Sequence, residues 1–163
     1  MRKFTIKQKF WSVAGQFDIN DETGQLAYHV QGALFKFPKE FTITDQEGRF
    51  VSRIKHRFNW FLPIFTVTLA DGQVIRIRKK FTWIGANYTI SDFGLEVEGD
   101  LWNMNFSLLD EGREAARIHQ RWLHLPSTYD LELYDDALAD LAISLVVAID
   151  YVKAIEASSA STG

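Results

Sequence analysis

The chain has 163 residues, 47% of them hydrophobic and 24% charged, the balance of one globular domain long enough to bury a core. A formal net charge of -3 supplies no global attraction for nucleic acid, so any anion site has to be a local cluster. With no cysteine, disulfides, thiolate nucleophiles and cysteine-ligated metals are excluded.

The amino terminus, Met1-Arg2-Lys3-Phe4-Thr5-Ile6-Lys7, is charged at its start and then alternates polar with apolar residues instead of running into an apolar leader. It opens a first strand over 4–10 and reads as the start of a cytoplasmic chain. Beyond it the sequence repeats. An aromatic residue leads a short alternating run in Phe17-Asp18-Ile19, Phe41-Thr42-Ile43, Phe65-Thr66-Val67, Tyr88-Thr89-Ile90, Phe106-Ser107-Leu108 and Tyr129-Asp130-Leu131. Within most units an acidic residue and then glycine follow: Asp21 and Gly24, Asp45 and Gly48, Asp71 and Gly72, Asp92 and Gly94, Asp110 and Gly112. Each pair predicts a tight turn, because aspartate hydrogen-bonds into a turn and glycine supplies the positive φ that a hairpin connection needs. A second alternating run returns over 26–32, 50–57, 74–80, 95–98 and 115–121. Aromatic-rich corners follow, among them Phe58-Asn59-Trp60-Phe61-Leu62-Pro63 and Trp122-Leu123-His124-Leu125-Pro126. The sum is about twelve short strands in up-and-down hairpins.

The last element is a helix over 136–156 that is apolar nearly all the way round: Leu138, Leu141, Ile143, Leu145, Val146, Val147, Ile149 and Val152 fall on every side. Asp140 and Asp150 bracket its apolar run, which is about half the length a bilayer requires, so no transmembrane segment is predicted. Protein therefore has to wrap it, with Asp140, Asp150 and Lys153 toward the ends, where water or a partner reaches them. A long meander has exposed edges, which closure removes, and a twelve-stranded barrel is too wide for its own side chains to fill. The expected fold is thus mainly β: a closed twelve-stranded up-and-down barrel enclosing a carboxy-terminal hydrophobic helix. One domain is expected over 1–156, with the Ser/Ala-rich stretch 157–163 a disordered tail.

Six aromatic-led hairpins followed by a hydrophobic helix resemble the Tubby carboxy-terminal-like superfamily, and within it the LURP-one-related branch with its bacterial YxjI-like form. The stretch 7–32, KQKFWSVAGQFDINDETGQLAYHVQG, carries the likeness in its Lys-Gln-Lys-aromatic start and its F-x-I-x-D-x-x-G turn. The resemblance spans about residues 3–156, and its motifs are structural. It implies a type of site, since Tubby binds phosphoinositide head groups through basic side chains on neighbouring strands. It implies no catalytic residue, and a fold by itself does not set a function.

The residues supply a candidate independently. Arg53, Lys55 and Arg57 alternate along one returning strand, and Arg76, Arg78 and Lys80 along the next; alternation puts each trio on one face, outward because Ile54, Ile75 and Ile77 take the other. Such clusters suit phosphate. Trp60, Phe61 and Leu62 form the most uniformly apolar corner, a candidate contact for a membrane interface or a partner. His29, His56, His119 and His124 lack ligand spacing, and no nucleophile elbow, phosphate loop or dinucleotide fingerprint occurs, so no metal, cofactor or catalytic residue is expected. The expected function is a non-catalytic module that binds phosphorylated lipid head groups or an anionic membrane surface, peripheral at the membrane; the alternative is a protein-interaction or scaffold domain.

Overall fold

Period-two alternation resolves into strands β1 (Arg2–Lys7), β2 (Gln16–Asp21), β3 (Leu26–Ala33), β4 (Glu40–Asp45), β5 (Phe50–Phe58) and β6 (Pro63–Leu69). They are followed by β7 (Val74–Thr82), β8 (Gly85–Ser91), β9 (Glu96–Asp100), β10 (Asn105–Asp110), β11 (Arg113–Arg121) and β12 (Thr128–Leu133). A 3-10 turn (Asp136–Leu138) leads into helix α1 (Ala139–Ala160). The computed structural model describes residues 1–7, 16–33, 40–58, 63–82, 85–91, 94–101, 103–121 and 128–160, with backbone only at 33, 58, 63, 64, 79–82, 85–91 and 153–160.

All twelve strands join one antiparallel sheet in the order β8-β7-β6-β5-β4-β3-β2-β1-β12-β11-β10-β9. Of the six aromatics that lead the repeats, Phe17, Phe41, Phe65, Phe106 and Tyr129 are inward-facing and buried, each followed two residues later by a buried Ile19, Ile43, Val67, Leu108 or Leu131; the side chains of Tyr88 and Ile90 lie outside the described residues. Among the described residues the turns are those the sequence predicts; Asp92 of the predicted Asp92–Gly94 turn lies outside them. Gly24, Gly48, Gly72, Gly94 and Gly112 all have positive φ, and Asp21 Oδ1 accepts from the Thr23 and Gln25 amides at 2.9 and 3.0 Å. Asp45 repeats this with the amides of Glu47 and Arg49.

The largest boundary shifts fall at the two ends of the chain, while the returning strands move by one or two residues. The first strand runs Arg2–Lys7, not 4–10, and 8–10 fall outside the described residues. The helix begins as the 3-10 turn capped by Asp135, whose side chain accepts from the Ala137 amide, and α1 then continues to Ala160 into the stretch expected to be tail.

Closure is where the architecture departs from expectation. Among the described residues no ladder joins β8 to β9, so the sheet has two ends and is not a barrel closed by hydrogen bonds. It is nevertheless curled. Flat, twelve strands would separate those ends by more than about 50 Å at about 4.8 Å per strand. Residues 92–95 join them, and that link spans at most about 19 Å at 3.8 Å per Cα step.

The curled sheet wraps α1. Every residue from 141 to 152 is buried, so the helix has no solvent face over that span. Polar contacts set its register. Ser144 Oγ donates to the Asp140 carbonyl at 2.6 Å, which leaves Ser52 Oγ of β5 to donate to Ser144 Oγ, also at 2.6 Å. Tyr28 of β3 donates to Asp140 at 3.0 Å, and Tyr129 of β12 donates to Asp150. Asp140 is exposed, as expected near an entrance, but Asp150 is fully buried. That corrects the expectation of a water-reachable Asp150: α1 extends beyond it, and a sheet tyrosine donates to it. Tyr151 fills the same level, edge-on to Phe41 and Phe65 with ring centroids 4.5 and 5.7 Å away.

Candidate functional site

The alternation of β5 decides which of its residues meet solvent. Ile54 is fully buried and His56 stacks on Phe65 at a centroid distance of 4.5 Å, so Arg53, Lys55 and Arg57 point outward. On β7, buried Ile75 and Ile77 turn Arg76 and Arg78 outward in the same way. Lys80 pairs with Asn87 in the β7–β8 ladder, and its side chain lies outside the described residues, as do Trp60, Phe61 and Leu62 altogether.

The two basic strands are not neighbours, because β6 runs between them. Register aligns Lys55 with Thr66 and Thr66 with Arg76 in one row, and Arg57 with Ile64 and Ile64 with Arg78 in the next. Rows on one face repeat about every 6.7 Å, and the basic strands stand about 10 Å apart. Over β5 and β6 this surface forms an open groove of about 420 Å³ lined by Phe50, Arg53, Lys55, Arg57, Thr66 and Thr68. Three cations and two hydroxyls face it, a donor set suited to an oxyanion. Phe50 stands at one end, 42% exposed, with the Arg53 guanidinium 5.8 Å from its ring centre.

Four of these surroundings escaped the sequence reading. Thr66 and Thr68 sit on the outward positions of FTVTL, a signal visible once β6 is placed between the basic strands. Phe50 follows a turn. Glu40 opens β4 opposite Lys55, and its carboxylate holds Arg53 Nε at 3.0 Å and Lys55 Nζ at 3.4 Å.

Cations elsewhere on the outer face are ion-paired as well. On β1, β11 and β12, Lys3 pairs with Glu132 at 2.7 Å and Arg121 forks onto Asp130 at 2.5 and 2.7 Å. His119 also reaches Asp130 at 3.4 Å. Hydrogen bonds from Lys3 and then Tyr134 hold Glu132 below the usual carboxylate range. Among the described residues no cluster of three histidine or acidic side chains has the arrangement to hold a metal ion, and no helix is long and apolar enough to cross a membrane.

A twelve-stranded antiparallel meander curled about its own carboxy-terminal helix, with a cationic groove on the outer face, defines the class: a mainly β, helix-centred scaffold. Residues 2–150 match the LURP-one-related family model, and the chain belongs to that family. It is 28% identical over 149 residues to the uncharacterized protein YxjI of Bacillus subtilis (strain 168), covering 90% of this chain and 92% of that one. The X-ray structure of a protein from Arabidopsis thaliana superposes with a TM-score of 0.58 at 15% identity, over 92% of this chain and 90% of its own. At that identity the likeness carries the fold alone.

Proposed function

We propose that this chain is a single-domain, non-catalytic binding module whose β5–β7 face takes phosphorylated head groups at an anionic membrane surface. The observation that carries the reading is the groove in which Arg53, Lys55 and Arg57 line up beside the Thr66 and Thr68 hydroxyls. In the same reading the chain works in the cytoplasm, meets the membrane peripherally, and completes its barrel by packing β8 against β9.

Flotation with vesicles that carry or lack phosphoinositides, at low and near-physiological salt, tests it. Binding should require the phosphorylated lipid and fade as salt screens exposed charges. Arg57→Glu with Arg76→Glu should lower that binding by at least about tenfold, since each basic residue near an anionic surface is worth about 1 kcal/mol. Both side chains are exposed, so the melting temperature should hold. Absence of binding at either salt concentration refutes the lipid reading and leaves a protein partner as the better account.

A further inference from the structure

Two of the three groove cations on β5 already have an anion. Glu40 reaches Arg53 with one carboxylate oxygen and Lys55 with the other, from the strand opposite the one that bears Thr66 and Thr68. The β4–β5 register places Glu40 directly across from Lys55, so this is a built position and not a chance approach of two long surface chains. Glu40 is also the less exposed member of both pairs, its side chain at 25% against 46% for Arg53 and 42% for Lys55.

We infer that Glu40 is the specificity-determining residue of the groove, an internal counter-ion that an incoming anion has to outbid; this rests on the anion-binding reading above. A carboxylate tethered to the next strand competes at a high effective concentration. A singly charged phosphodiester offers Arg53 and Lys55 the same charge that Glu40 already provides, and it gains nothing by the exchange. A phosphomonoester carries about -1.5 to -2 at neutral pH on three acceptor oxygens. It engages Arg53 and Lys55 while Arg57, Thr66 and Thr68 take its remaining oxygens, and it keeps a net attraction with Glu40 still present. Glu40 therefore sets a threshold: the groove accepts a head group bearing a terminal phosphate and rejects singly charged lipids that carry most of a membrane's negative surface.

The test compares vesicles of phosphatidylserine with vesicles whose charge comes from a phosphomonoester lipid, matched for total charge, using wild type, Glu40→Gln and Glu47→Gln. Glu47 pairs with Arg49 in the β4–β5 turn at 3.2 Å, so its variant makes the same charge change outside the groove. Wild type should prefer the phosphomonoester vesicles. Glu40→Gln should bind phosphatidylserine about fivefold more tightly, with a smaller gain on the phosphomonoester, so that discrimination shrinks. Glu47→Gln should leave discrimination where it was. Competition by inorganic pyrophosphate separates the sources: displacement from vesicles means the phosphate alone is recognised, and its failure means the lipid surface is required. If wild type binds and Glu40→Gln keeps the same discrimination, or Glu47→Gln lowers it equally, the role of Glu40 is overturned while the head-group reading stands. If neither wild type nor Glu40→Gln binds either vesicle, both fall.

Discussion

Asp150 is the most consequential single residue of the interior. A carboxyl group enclosed in an apolar helix is costly unless a donor meets it, and the Tyr129 hydroxyl of β12 does so. Tyr28 and Asp140 repeat the chemistry at the entrance, where the carboxylate is open to water. Burial, and then the Asp140 charge, raise the Tyr28 phenol above its usual range. The same substitution at the two tyrosines should therefore cost different amounts. Tyr129→Phe removes a donor to a buried group and should destabilise by about 1–3 kcal/mol. Tyr28→Phe should stay within about 0.5–1.5 kcal/mol, the net worth of an ordinary hydrogen bond. Thermal melts of the two variants check the ordering, and equal losses would mean that Asp150 does not depend on Tyr129.

At the scale of the hairpins, the repeated acid-and-glycine turns were legible in the sequence because their chemistry is local. Each needs only an aspartate to take up amides and a residue tolerant of positive φ. Gly99 is a different case that no such motif announces. It lies within β9 at φ 112, and a side chain there would come within 2.6 Å of the Asn105 carbonyl on β10. A Cβ at Gly72, with φ 87, meets nothing within 4 Å. Gly72→Ala should cost only the conformational penalty, about 1–2 kcal/mol. Gly99→Ala should cost more, because backbone must also move at the β9–β10 pairing. Denaturant titration of both separates turn strain from a steric clash across the ladder.

At the scale of the whole molecule, acidic groups on the outer face tie the strands together, and several are held below their ordinary range. A hydrogen bond from the Thr23 hydroxyl, with turn amides, lowers Asp21; Ser107 and then Arg117 lower Glu114; Lys3 and then Tyr134 lower Glu132. A carboxylate lowered on folding stabilises the native state above its unfolded value, and that contribution is lost as pH falls through the native one. The melting temperature should be level from about pH 7 to pH 5 and fall below about pH 4.5. Glu132→Gln should make that fall shallower, and an unchanged acid slope would show that the Lys3 pair is not part of it. By itself, the sequence determined the strand count, the inward sense of five of the six leading aromatics, the turns among the described residues, the wrapped helix and the outward sense of the basic residues other than Lys80. All of these follow from period and local backbone chemistry, which neighbours in the chain already specify. Tertiary structure alone decided that β6 separates the two basic strands, that Glu40 answers Arg53 and Lys55, that Tyr129 meets Asp150, and that the sheet's ends lie at β8 and β9. Those facts depend on register and curl between segments far apart in sequence, which no local pattern encodes.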